Sequence, residues 1–120
     1  MDLKKLREYV AMKLDLANRG LKEDMSKFKD YAKQSYTYAL EWNALSLVRR
    51  EHEVKWYRIL EKSLTNEKNF TETLKSLEDQ LLRYYPPRST SLISNDIANE
   101  QHSVISSIYL ELKRNIQYIN

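Results

Sequence analysis

Apolar or small residues recur at Leu3, Leu6, Val10, Leu14, Ala17, Leu21, Met25, Phe28, Ala32, Tyr36 and Ala39, with gaps that repeat as three, four, four. That repeat advances about 3.67 residues per turn, close to the helical value of about 3.6, and keeps the stripe on one face of a nearly straight α-helix. After Ala39 the phase slips by one position and resumes through Trp42, Leu45, Val48, His52, Trp56, Ile59 and Ser63. The pattern predicts an N-terminal helical segment over 1–20 and one long helix over 21–64. Gly20, the only glycine, is either a kink or the meeting point of two helices; the stripe crosses it in register, which favours continuity.

Thr65-Asn66-Glu67-Lys68-Asn69 interrupts the pattern, and Asn69 with Glu72 resembles a capping box. A short helix over 70–85 follows, with Leu74, Leu77, Leu81 and Tyr84 on one face. Pro86-Pro87 stop it, because proline lacks an amide donor and disfavours helix at the preceding residue. Pro86–Ser94 reads as a loop. A C-terminal helix over 96–118 places Ile97, Val104, Ile105, Ile108, Leu112 and Ile116 on one side. That face needs cover, most simply from the 21–64 helix packed antiparallel to it. The expected architecture is all-α: one domain over 1–120, an elongated bundle of three or four helices built around one long helix.

Composition agrees with this class. One Gly and two Pro in 120 residues leave little material for tight turns. A charged fraction of 31% beside nine Tyr fits a folded chain rather than a disordered one. No run of apolar residues is long enough to span a bilayer, and Asp2, Glu8 and Asp15 are unlike a leader peptide, so an intracellular, cytoplasmic location is expected, with a peripheral membrane location as an alternative. The absence of Cys excludes disulfides and thiolate metal sites. The net charge of +3 is uneven, with 13 Lys+Arg against 9 Asp+Glu in residues 1–60 and 7 against 8 in the remainder.

Candidate chemistry is sparse. His52 and His102 lack the spacing that brings two metal ligands to one helix face, and no Gly-rich phosphate loop or nucleophile motif occurs. No catalytic, cofactor or metal residue is assigned, and enzyme activity is not expected. The aromatic residues Tyr31, Tyr38, Trp42, Trp56 and Tyr57 all fall on the predicted long helix, where they serve either as helix–helix packing or as anchors of an interface. The bases Arg49, Arg50, Lys55 and Arg58 lie beside two of them and are candidates for an anionic surface.

The run Ala44-Leu-Ser-Leu-Val-Arg-Arg-Glu-His-Glu-Val-Lys-Trp-Tyr-Arg-Ile-Leu60, with Asn115-Ile-Gln-Tyr-Ile119, resembles the later helices of the BAR domains of sorting nexins. The resemblance implies long helices that dimerise into a curved bundle with a basic, membrane-bound face, and makes Arg49, Arg50 and Lys55 membrane or dimer contacts. The residues themselves favour a non-catalytic helical module that assembles with itself or with a protein partner. A peripheral membrane component using the basic face is the alternative, and a nucleic-acid-binding helical protein comes third.

Overall fold

The computed structural model describes residues 1–85 and 92–119 and is all-α: α1 (Leu3–Gln34), α2 (Tyr36–Ser63), α3 (Glu67–Leu82) and α4 (Leu92–Ile119). The particle is elongated, 49 × 32 × 21 Å. Asp2 caps α1, its carboxylate accepting from the Lys5 amide at 3.1 Å. The helix then runs through Gly20 without interruption.

The long helix expected over 21–64 is two helices. Ser35 separates them with an extended backbone (φ −165°, ψ 127°), its amide donating to the Tyr31 carbonyl at 2.9 Å and its hydroxyl accepting from the Tyr38 amide at 3.3 Å. One serine thus closes α1 and caps α2. Tertiary contacts make the reversal: the Arg7 guanidinium Nε donates to the Leu64 carbonyl at 2.7 Å, and Asn43 Nδ2 donates to the Asp24 carbonyl at 3.0 Å. Both ends of the pair are therefore tied, and α1 and α2 form an antiparallel hairpin with Ser35 at its tip.

The short helix begins at Glu67 and ends at Leu82, rather than covering 70–85. Asn66, not Asn69, is its cap, with Oδ1 accepting from the Asn69 amide at 2.8 Å. The last helix begins at Leu92, earlier than the expected 96. Residues 86–91 of the expected Pro86–Ser94 loop lie outside the described residues.

The direction of α4 also differs from expectation. Glu100 meets Arg49 of α2, while Glu111 meets Tyr9 and Lys13 of α1, at the opposite end of the bundle. Helix α4 therefore runs parallel to α2 and antiparallel to α1. The break at Ser35 adds a reversal that a single long helix would not have, giving an up-down-up-down order.

The core fills the half of the molecule away from Ser35. Leu6 and Val10 of α1, Leu60 with Leu64 at the end of α2, Phe70 and Leu77 of α3, and Leu112 of α4 are fully buried. Burial of such side chains contributes about 1.5–3 kcal/mol each. Towards the hairpin tip the apolar stripe fails: Met25 and Tyr36 are exposed, and Asp24 takes the inward position.

Candidate docking surface

The unburied end of the hairpin is where the aromatic candidates gather. Tyr31 near the end of α1 meets Tyr38 at the start of α2 edge-to-face, with ring centroids 5.1 Å apart at 84°. Tyr38 meets Trp42 one turn on, at 6.0 Å and 48°. The three rings form a ladder across the two helices, in arrangements that aromatic quadrupoles favour. Trp42 is 67% exposed and Tyr36 76%, and Met25, Tyr38, Leu40 and Leu45 are also open to solvent. Trp56 and Tyr57 are different: each is 5% exposed and belongs to the core, so neither offers the broad exposed face that a protein partner needs. The five candidates thus divide into three that share one end of the molecule and two that pack inside it.

A polar clamp holds the hairpin just below the ladder. Asp24 is buried; its backbone oxygen accepts from Asn43, its carboxylate accepts from Ser46 Oγ at 2.5 Å, and Arg50 Nε lies 3.6 Å from the same carboxylate. Arg50 also reaches Glu53 at 3.4 Å and lies across Gly20, where a Cβ would meet its guanidinium at 2.8–2.9 Å. The Asn43 and Ser46 hydrogen bonds to Asp24 fix one register between the two helices, whereas an apolar seam tolerates sliding; Arg50 Nε, buried beside them, makes only an ion-pair contact with the Asp24 carboxylate. No sequence motif announces the clamp. Its one legible signal is Asp24, an acid seven residues beyond Ala17 on the inward line of α1.

The four basic candidates do not form one free face. Arg49 donates to Glu100 at 2.6 Å, which holds its guanidinium pKa above the ordinary value, and Arg50 serves the clamp. Lys55 remains exposed, with its ammonium 6.0 Å from the Trp56 ring, and Arg58 is exposed. Both arginines are thus engaged by acids of the same chain, with about half of the Arg49 side chain still exposed.

Both histidines face a groove between α2, α3 and α4. His52 Nε2 accepts from the Trp56 indole at 3.2 Å; burial, and secondarily the charge of Lys55, hold its pKa below the usual histidine value. His102 stacks on Tyr84, with centroids 3.8 Å apart and planes 12° from parallel, and the Tyr84 hydroxyl donates to Asn99. At the far end of the bundle, Tyr9 donates to Glu111 at 3.3 Å, and burial followed by the Glu111 charge pushes its phenol up to about 12. Burial likewise raises Tyr57.

Among the described residues no group of three or more His, Asp or Glu is placed to hold a metal ion, and no helix is long and apolar enough to cross a membrane. No protein-family model, curated protein or solved structure matches the chain.

Proposed function

We propose that the protein is a non-catalytic helical assembly module that engages a protein surface, a second copy of itself or another polypeptide, through the aromatic end of the α1–α2 hairpin. The observation that carries this is the Tyr31–Tyr38–Trp42 ladder at one extremity, its Tyr38 and Trp42 rings exposed and its two helices held by the Asp24 clamp. Tyr and Trp bury large area on association and lose little side-chain freedom, so they dominate the energetics of protein interfaces. Apolar side chains clustered at one end mark an interaction site more often than isolated ones do. The clamp lowers the ordering cost of association, because the two helices are already in register before a partner arrives.

This reading is preferred to a lipid-binding one because Arg49 and Arg50 are engaged by acids of the same chain. The test is site-specific photo-crosslinking in the native cell, with a benzophenone amino acid at position 42 and, as a control, at Met12 on the exposed side of α1. A discrete protein adduct from position 42 and none from position 12 is expected. No protein adduct from position 42, or equal labelling from both positions, overturns the reading.

A further inference from the structure

The groove between α2, α3 and α4 has a volume of about 760 Å³, within the range of about 300–1,000 Å³ typical of small-molecule sites. Its floor is Trp56 and Ile105, both buried, and one wall is the stacked Tyr84–His102 pair. The Trp56 indole donates to His52 and the Tyr84 hydroxyl donates to Asn99, so these two polar edges are engaged within the chain and the rings offer an occupant their surface. Around the mouth stand Lys55, Lys75 and Arg83, all exposed, and none of the three forms an ion pair among the described residues. Glu72 and Asp79 share that rim, leaving an excess of one positive charge.

We propose that this groove is a binding site for a small organic anion with a planar aromatic body, the ring lying against Trp56 and the Tyr84–His102 stack and the anionic group held at the rim by Lys75 and Arg83. A flat ring matches a floor of ring faces, and a guanidinium and an ammonium on the same rim suit a carboxylate, sulfonate or phosphate. The site lies on the bundle body, away from the hairpin tip, and stands independently of the docking surface.

The probe is anilinonaphthalene sulfonate, with its uncharged analogue phenylnaphthylamine, titrated into the Trp42→Phe protein, in which Trp56 is the sole tryptophan donor for energy transfer. Saturable one-to-one binding of the sulfonate with energy transfer from Trp56 is expected. The double substitution Lys75→Gln/Arg83→Gln, at exposed positions on α3 and at its C-cap, should weaken it at least about fivefold while leaving the helical circular dichroism unchanged. The uncharged analogue should bind weaker by a similar factor. Absence of saturable binding, equal affinity in the double variant, or equal affinity for the uncharged analogue overturns the assignment.

Discussion

Gly20 offers the sharpest test of how the hairpin is held. In the middle of an exposed helix, Gly→Ala stabilises by about 1 kcal/mol, because alanine narrows the unfolded ensemble and suits the helical backbone. Gly20 has no positive φ, so its backbone accepts alanine. The opposing term is contact: a Cβ would lie 2.8 Å from Arg50 Nε, 2.9 Å from Cζ and 3.1 Å from Cδ. These atoms end a flexible side chain that is 38% exposed, so the arginine can swing outwards. Doing so gives up its pairs with Asp24 and Glu53, which for a group of this exposure are worth about 1 kcal/mol together after solvent screening. The two terms nearly cancel. Gly20→Ala should therefore change stability by less than about 0.5 kcal/mol in the native background, yet stabilise by about 1 kcal/mol when introduced into Arg50→Ala. Urea denaturation of the four proteins of this cycle, followed by helical circular dichroism, measures the coupling. Equal stabilisation in both backgrounds would show that Arg50 does not lie over Gly20, and the described packing of α1 on α2 would be wrong.

Other expectations concern the core, the cap and the tyrosines. Leu112→Ala, at a fully buried position, should cost about 2–5 kcal/mol in the same denaturation assay, whereas Trp42→Ser at the hairpin tip should change stability by less than about 0.5 kcal/mol. Ser35→Ala removes the hydroxyl that accepts from the Tyr38 amide and should cost about 1 kcal/mol; an unchanged midpoint would remove Ser35 from the cap. Tyr9 is held protonated to about 12 against about 10 in the unfolded chain. A folded-state pKa above the unfolded one means that its contribution is intact below about pH 10 and is lost as pH rises towards about 12. Stability measured by urea denaturation should therefore fall as pH rises from about 10 towards about 12, and Tyr9→Phe should flatten the pH dependence in that window.

Much of the fold is written in local pattern. Leu6, Val10 and Ala17 lie on one helical line and are buried, as are Val104, Ile105, Ile108 and Leu112. The pattern conceals the break at Ser35 because Ala32, Tyr36 and Ala39 carry the three-and-four spacing straight across it, although Tyr36 ends in solvent and Ala39 is buried. Periodicity reports which residues can share a face, not what covers that face. The polar residues that decide the reversal, Asp24, Asn43 and Ser46, look like surface positions until α1 and α2 are brought together.

The same limit governs the candidate site. Tyr31, Tyr38 and Trp42 are within reach of one another by helical spacing, but whether they face the core or solvent depends on where α4 passes. Trp56 occupies an equivalent stripe position lower on α2 and is buried. Arg49 and Arg50 read as free bases because their acids lie far off in the chain, at Glu100 and Asp24. A charge run reveals its partners only after the fold is known.

Everything proposed for the aromatic end depends on the chain reversing at Ser35, and a distance measurement between spin labels at Lys22 and Glu51, both exposed, tests that directly. The hairpin places these labels on adjacent antiparallel helices at the same level, with axes about 10 Å apart. A continuous helix through Ser35 would separate the two backbones by roughly 44 Å at about 1.5 Å per residue. A narrow distribution at the short end of the measurable range is the predicted result. A population centred near the longer distance would contradict the hairpin and, with it, the docking surface at its tip.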